Sequence, residues 1–406
     1  DCHVVTANID PPLLDAMREE EQEVVFWNER PNDIPKCTTD FRFSHQLADP
    51  EDVEQLMFGP GSHIEPHEHM LYWESGPVEG IETVPGKKRQ ESRKIQLYAP
   101  TDIYRVNLGY ANRTTNDGDK YVEWGGYLYT CNGHQLMLGH IGEPSDDMLA
   151  ALAEAEPTCG LVSSYNPEPG CTWRLDTFIP SGTPIFKNSG YTGAFDFGLS
   201  LFGLTSKELQ KQPGYGYSIT PWCVGSGRAV CPLEYFSEPL RSEYRKLLRD
   251  SMTGELLECG PFNQDVPDTA MGFWLPSPSP ETPPMDPSEA FEDEWETIWL
   301  FQSNNDPSVH ILSVGNNTFG LNYGQYQIPT VSEGLVNRRW DAIKPGDVYC
   351  AEFTEAQNEE SELTIEKTLI LRLSEDGTAL TVEAINIDKC GGSPWEFQGG
   401  ERTFYR

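Results

Sequence analysis

The sequence predicts a mainly β protein built from antiparallel sheets, with a few short helices. Aromatic and β-branched residues alternate with polar ones over short segments, which is the periodicity of a strand. Gly, Asn and Asp residues typical of turns separate these segments. A proline-rich, acidic stretch at 275–290 suits neither a strand nor a helix, and a second series of strand-like segments follows it. The chain has 406 residues, enough for two or three domains.

These observations predict four regions. Residues 1–50 form an N-terminal segment and residues 51–274 an antiparallel β-sheet or barrel domain with short helices. Residues 275–290 form a linker, and residues 291–406 form a smaller C-terminal all-β domain.

Individual elements follow from the local pattern. The strand-like segments before the linker include KIQLYAP, DIYRVNLGY, KYVEWGGYLYT, HQLMLGHI and GAFDFGLSLFG. Those after it include IWLFQS, HILSVGN, VYCAEFTEA, LTIEKTLILRLSED and ALTVEAINI. A helix is predicted over 145–156, which opens with the capping residue Ser145, and another over 232–250, where apolar residues form one stripe.

The charge of the chain excludes two classes of partner. It carries 64 acidic against 29 basic residues, for a formal net charge of −35. Such a surface repels nucleic acid and anionic lipid. No run of about 20 apolar residues is present, so no membrane span is predicted. Acidic loops such as that holding Asp117, Asp119 and Glu123 offer oxygen ligands for calcium, although they lack the regular ligand spacing of a helix–loop–helix site.

The ten cysteines predict disulfide bonds in an oxidising compartment. Their number is even, they are scattered, and no C-x-x-C pair is present, which disfavours zinc clusters and redox motifs. Nearest neighbours predict the pairs Cys159–Cys171, Cys231–Cys259 and Cys350–Cys390, and leave the pairing of the others open. The full set is Cys2, Cys37, Cys131, Cys159, Cys171, Cys223, Cys231, Cys259, Cys350 and Cys390.

Two further features indicate an extracellular or cell-surface protein. Asn112 and Asn316 each begin an N-x-T glycosylation sequon. The chain begins with Asp1 rather than Met, which we interpret as a mature form after removal of a signal peptide.

A histidine cluster stands out in the segment GPGSHIEPHEHMLYWESG, residues 59–76. It contains His63, His67 and His69, followed by Glu74. On a strand, His67 and His69 share one face, and two imidazoles with a nearby carboxylate are suitable zinc ligands. The spacing also approximates the first cupin motif, but the second cupin motif is not found in this sequence.

Several segments, taken in order, resemble the lysostaphin-type (LytM-like) metallopeptidases. They are IQLYAPTDIYRV (95–106), HQLMLGHI (134–141) and FIPSGTPIFKNSGYTGAFDFGLSL (178–201). With the C-terminal β segment, residues 50–390 are similar to a group of uncharacterised secreted prokaryotic proteins that join this domain to a short C-terminal one. The resemblance implies that region 51–274 is a peptidase-like β domain.

The resemblance also implies a ligand set, which this chain matches only in part. The family binds zinc through a His-x-x-x-Asp pair and the second His of a His-x-His strand. His69 corresponds to the first ligand, but Trp73 stands four residues on and Glu74 is out of register. His140 corresponds to a histidine that orients water or the oxyanion, which makes it the one catalytic candidate.

The His-x-His strand is absent from this chain. Phe195, Asp196 and Phe197 occupy that region in either plausible register, so Asp196 is the one residue there able to bind a metal. The metal candidates are therefore His67, His69, Glu74 and Asp196.

The sequence predicts a non-catalytic secreted or cell-surface structural protein built on a degenerate peptidase-like domain. We expect it to have no resident cofactor and to self-associate through its N-terminal segment or C-terminal domain, as a surface-layer, matrix or filament subunit. The alternative is a metal-dependent hydrolase acting on peptidoglycan or peptide, with zinc as its cofactor. A glycan-binding module is a third hypothesis. It depends on the exposure of Trp73, Trp124, Trp222 and Trp274.

Overall fold

A computed structural model describes most of the chain. The described residues are 34–58, 69–74, 95–114, 120–161, 169–189, 193–204, 206–209, 211–212, 228–249, 253–262, 264–276, 297–315, 318–331, 333–357, 365, 367–387 and 389–406.

Twenty strands and three short α-helices lie within these ranges. The strands of the N-terminal part are β1 (Val53–Phe58), β2 (His69–Glu74), β3 (Gln96–Tyr98), β4 (Ile103–Thr114), β5 (Lys120–Tyr129), β6 (Gln135–Pro144), β7 (Thr158–Leu161), β8 (Pro169–Ile179), β9 (Pro184–Asn188), β10 (Ala194–Ser200) and β11 (Ala229–Val230). Those of the C-terminal part are β12 (Gly272–Trp274), β13 (Ile298–Gln302), β14 (Val309–Val314), β15 (Gly324–Pro329), β16 (Tyr349–Glu352), β17 (Glu355–Gln357), β18 (Thr368–Leu373), β19 (Ala379–Ile385) and β20 (Arg402–Tyr405). The helices are α1 (Asp146–Ala153), α2 (Ser206–Leu209) and α3 (Leu240–Arg245).

The first eleven strands form one antiparallel sheet. Its main path runs β1-β2-β10-β6-β5-β4-β8-β7, while β11 pairs with β10, and β9 pairs with β6 and β3. The whole of β10 is buried, which its apolar sequence AFDFGLS favours for a strand in the interior of a sheet. Asp196 is therefore carried into the interior by a strand covered on both faces.

The C-terminal strands form two smaller antiparallel sheets around a core of their own. One has the order β12-β13-β14-β15-β17, and the other β16-β18-β19-β20. Trp274 and Trp340 lie in this core, apart from the core of the large sheet. Because Gly272–Trp274 pairs with β13, the C-terminal sheet begins before the proline-rich stretch.

The predicted fold class is confirmed: the described chain is mainly β, antiparallel, and has few short helices. Its sheets are open within the described strands, so the structure follows the sheet form of the prediction rather than the barrel form. The helix predicted to begin after Ser145 is present, and the Ser145 side chain accepts a hydrogen bond from the Met148 amide. None of the helices in the described ranges has the length and apolar character needed to cross a membrane.

The single helix predicted over 232–250 is wrong. The segment forms a 3₁₀ turn at Pro232–Tyr235 and then α3, which begins only after Pro239. Proline has no amide hydrogen and its ring clashes with the preceding helical turn, so Pro239 marks a helix start and interrupts the apolar stripe.

Four disulfide bonds join described residues. Three are the predicted nearest-neighbour pairs, Cys159–Cys171, Cys231–Cys259 and Cys350–Cys390. The fourth joins Cys37 to Cys131 across 94 residues. Cys2 and Cys223 lie outside the described residues. Disulfides in this number indicate an oxidising compartment outside the cytosol.

Candidate functional site

Three of the predicted site residues converge on one face of the large sheet. Asp196 Oδ2 lies 3.7 Å from His69 Nε2 and 3.6 Å from His140 Nε2. Asp196 and His69 are buried, with 4% and 7% of their surface exposed. His67, like His63, lies outside the described residues, as does the side chain of Glu74 at the end of β2.

The strand register explains why Asp196 meets His69. On β10, Asp196 pairs with Leu71 of β2, and Gly198 pairs with His69. Residues two apart on a strand share a face, and directly paired residues also share a face. The side chains of His69 and Asp196 are therefore diagonal neighbours on one face.

Gly139 makes room for the carboxylate. It pairs with Asp196 across β6 and β10. A Cβ atom at this position would lie 2.3 Å from Asp196 Oδ2, well inside contact distance. The glycine is therefore needed for Asp196 to occupy its present position.

A β-bulge brings His140 to the same face. Trp124 pairs with Ile141 and Gly126 with Leu138, so two residues of β6, Gly139 and His140, oppose one residue of β5. His140 has a φ of 53°, a left-handed conformation uncommon for residues other than glycine. A β-bulge changes the direction in which a side chain points. Gly139 is on the Asp196 face, so regular alternation would place His140 on the opposite face; the bulge turns it toward Asp196 instead.

Glu123 and Arg113 complete the cluster, and the sequence did not predict their role. Glu123 Oε2 accepts a hydrogen bond from His140 Nδ1 at 2.9 Å, and Glu123 Oε1 accepts one from Arg113 Nε at 3.2 Å. Glu123 is one of the acidic residues named above as possible oxygen ligands for calcium; it lies within β5, and each of its oxygens contacts another side chain. The sequence does contain one indication of this contact. If KYVEWGGYLYT and HQLMLGHI form a hairpin, Glu123 lies near His140 on the neighbouring strand.

The charges in the cluster support a protonated His140 in the absence of other cations. Burial disfavours the charged imidazole and is the largest single influence. The charge of Asp196 and the hydrogen bond and charge of Glu123 outweigh it and raise the pKa of His140 to about 9. Burial likewise opposes ionisation of Glu123, but contacts with His140 and Arg113 lower the pKa of that carboxyl.

Two of the three ligand–ligand distances in this set are close to those of a transition-metal site. The third, between the two imidazoles, is longer, because the three ligand atoms do not all lie within 4.8 Å of one another, so the rings would have to approach each other to bind one ion. Zinc bonds of 2.0–2.2 Å in a tetrahedral site place neighbouring ligand atoms about 3.4 Å apart. The two distances from Asp196 Oδ2 to the imidazole nitrogens, 3.7 and 3.6 Å, are within a few tenths of an ångström of that value. Two imidazoles and one carboxylate also form a donor set that zinc prefers.

The set differs from the one that the resemblance implies. Phe195 and Phe197 are fully buried and pack in the core of the large sheet, on the opposite face of β10 from Asp196. The face that carries Asp196 offers Ala194 and Gly198 on either side of it. Neither face of the described strand therefore has a His-x-His pair.

The remaining predicted sites are not drawn together. Asp117 and Asp119 lie outside the described residues, and so does Asn316. Asn112 is exposed on β4. Among the described residues, Cys231, Glu234 and Cys259 form the one group of three metal-ligating atoms that all lie within 4.8 Å of one another, but its two sulfurs are joined in a disulfide.

Comparison with known proteins adds no relative. No family model, no curated protein and no solved structure matches this chain. The similarity to lysostaphin-type peptidases therefore stays a prediction from the sequence motifs.

Proposed function

We propose that this chain is a secreted metal-dependent hydrolase whose metal ligands are His69, Asp196 and His140. The observation that carries the proposal is the approach of two imidazole Nε2 atoms to a single buried carboxylate oxygen. A buried carboxylate is costly unless it is paired or binds a metal, so a strand that brings Asp196 into the interior favours a binding role.

The donor types in the cluster are those of a hydrolytic zinc site. His69, Asp196 and His140 would hold a divalent ion, which when bound would supply a Lewis acid for the activation of water and the polarisation of a carbonyl. The His140 side chain is 35% exposed, whereas that of Asp196 is 5% exposed. His140 is therefore on the solvent-accessible side of the cluster, from which we expect a substrate to approach, and Asp196 is on its buried side. The motif order that resembles lysostaphin-type peptidases favours peptidoglycan or peptide as the substrate.

Metal content and affinity test the proposal. We expect purified protein to hold about one equivalent of zinc or another transition metal, and D196N to lower zinc affinity at least about 100-fold. Glu143→Gln is the matched control, because Glu143 lies on the same strand, β6, and its exposed side chain forms an ion pair with Lys187 at 3.7 Å. Less than about a tenth of an equivalent of metal, with no binding of added zinc, would contradict the proposal.

A non-catalytic extracellular structural protein is the second candidate, and two observations favour it. Phe195 and Phe197 fill the region where the resemblance implies metal-binding histidines, and both are core residues. The two carboxylates of the cluster already face the two cations Arg113 and protonated His140. Such a cluster is balanced without a metal, as a structural ion network would be.

Self-association distinguishes the two candidates further. Strand β7 ends the described path of the large sheet, and its residues Thr158 and Cys159 are exposed. Strand addition there would produce assemblies. Size-exclusion chromatography with light scattering should show growth with concentration if the structural role is correct, and a constant mass together with bound zinc if the hydrolase is correct. Predicted contacts through residues 1–33 lie outside the described residues.

A further inference from the structure

A line of polar side chains crosses five neighbouring strands of the large sheet. In strand order from β4 through β5, β6 and β10 to β2, it consists of Arg113, Glu123, His140, Asp196 and His69. Successive polar atoms lie 3.2, 2.9, 3.6 and 3.7 Å apart. The contacts differ along the line: Arg113, Glu123 and His140 are joined by hydrogen bonds, whereas the contacts of Asp196 with His140 and His69 are longer.

Glu123 connects Arg113 to His140 in this line. Its side chain is only 12% exposed, and each of its oxygens contacts a different neighbour, Arg113 or His140. A carboxylate can only accept a hydrogen bond, so the proton between Glu123 and His140 must lie on Nδ1. The second imidazole nitrogen, Nε2, then faces Asp196.

We infer that Glu123, anchored by Arg113, is the positioning residue that fixes the ring orientation and the tautomer of His140. A carboxylate behind a metal-binding histidine has this effect, because it holds the proton on the far nitrogen and leaves the near one for the metal. The inference rests on the proposed function for the ligand role of His140, but the orientation of the ring exists in the metal-free protein and is tested there.

Nitrogen-15 NMR of the histidine rings tests the orientation directly. In metal-free protein, at an alkaline pH where the titration itself shows the ring to be neutral, the remaining proton should lie on Nδ1, which faces Glu123. In Glu123→Ala it should move to Nε2, which faces Asp196. In Glu143→Ala, the matched control on β6, it should stay on Nδ1. A ring with its proton on Nε2 in the unmodified protein, or on Nδ1 in Glu123→Ala, would overturn the inference.

Zinc affinity supplies the second measurement. We expect Glu123→Ala to weaken zinc binding about 10- to 100-fold, as the loss of a carboxylate behind a metal-binding histidine typically does, and Glu143→Ala to leave it unchanged. If the unmodified protein binds no zinc, the proposed function fails, and the NMR result alone decides the positioning role. If the protein binds zinc and Glu123→Ala binds it equally well, the positioning role fails and the proposed function stands.

The variant Arg113→Met covers the case in which Glu123→Ala does not fold. It keeps the carboxylate and removes its anchor, so a mixture of the two His140 tautomers is expected. A ring that keeps its proton entirely on Nδ1 in Arg113→Met would show that Arg113 anchors nothing. Circular dichroism spectra and thermal melts establish that each variant is folded before its NMR spectrum is interpreted.

Discussion

Each half of the molecule contains a histidine with a strongly shifted pKa, and the two shifts have opposite signs. His140 of the large sheet lies between Glu123 and Asp196, and its pKa is raised to about 9. His310 on β14 is 1% exposed, and its Nδ1 accepts a hydrogen bond from the Trp340 amide at 3.2 Å. Burial, the largest influence, together with Arg339 outweighs the attraction of Asp341 and lowers the pKa of His310 to about 4.

The opposite pKa shifts distinguish a structural histidine, His310, from a histidine in a candidate functional site, His140. Burial disfavours the protonated form of both rings, so the carboxylates around His140 account for the contrast. Placing two carboxylates beside an imidazole is costly in a sheet interior and adds little to packing. His310, by contrast, satisfies one backbone amide in a core, which is the ordinary role of a buried polar side chain. A cluster of titratable residues with perturbed pKa values indicates a functional site.

The largest expected effect concerns His310 in acid. Its folded pKa lies below its unfolded value of 6.5, so stability should be lost as the pH falls from 6.5 toward about 4. The loss should reach about 3 kcal/mol in the free energy of unfolding. His310→Gln keeps a hydrogen-bond acceptor for Trp340 and does not titrate, so it should remove most of this loss. Urea unfolding at a series of pH values measures the effect, and an unchanged acid slope in the variant would refute it.

The next effect concerns the space beside Asp196. Gly139→Ala places a Cβ atom 2.3 Å from Asp196 Oδ2, so the carboxylate must move away from His69 and His140. We expect a loss of about 2 kcal/mol in the free energy of unfolding. Gly160→Ala on β7 is the matched control, because nothing lies within 4 Å of its added Cβ. Equal stability of the two variants in urea unfolding would show that Gly139 is not required.

Local sequence pattern was sufficient for most of the fold. Alternation predicted the strands, and spacing predicted three disulfide pairs, because both depend on residues near each other in the chain. The Cys37–Cys131 bond spans 94 residues and depends on how distant segments meet. The prediction for 232–250 failed because the apolar stripe was given more weight than Pro239, whose backbone restriction outweighs it.

The candidate site was predicted residue by residue but not as an arrangement. His69, Asp196 and His140 were each selected from motifs, yet strict alternation along β6 would place His140 and Gly139 on opposite faces. The bulge and the left-handed φ of His140 overcome that alternation. Bulges have no reliable sequence signature beyond a nearby glycine, so a hairpin of the β5 and β6 segments places Glu123 near His140 but does not predict that His140 turns to the face of Asp196.

A smaller effect links the cluster to the comparison of the two histidines. Asp196→Asn removes one of the two carboxylates beside His140, so the pKa of His140 should fall by at least about one unit toward its ordinary value. Asp176→Asn, which removes the carboxylate that accepts a hydrogen bond from Arg105 in the same sheet, should leave it unchanged. NMR titration of the histidine ring protons in metal-free protein measures both. If the pKa of His140 does not move in Asp196→Asn, Glu123 alone accounts for the raised value.

The smallest expected effect is a loss of stability at alkaline pH, caused by deprotonation of His140. Because the folded pKa of His140 lies above its unfolded value of 6.5, its stabilising contribution is complete below 6.5 and lost as the pH rises through about 9. The ring is 35% exposed, so solvent weakens the effect, and we expect a loss of less than about 1 kcal/mol in the free energy of unfolding.

Salt should distinguish the alkaline loss at His140 from the acid loss at His310. The alkaline loss comes from charge attraction and should shrink in about 1 M NaCl, where screening acts within about 3 Å. The acid loss comes mainly from burial and should remain. Urea unfolding in low and high salt, with His140→Gln and His310→Gln as reciprocal controls, measures both limbs. An alkaline loss that persists in His140→Gln would assign it to another group.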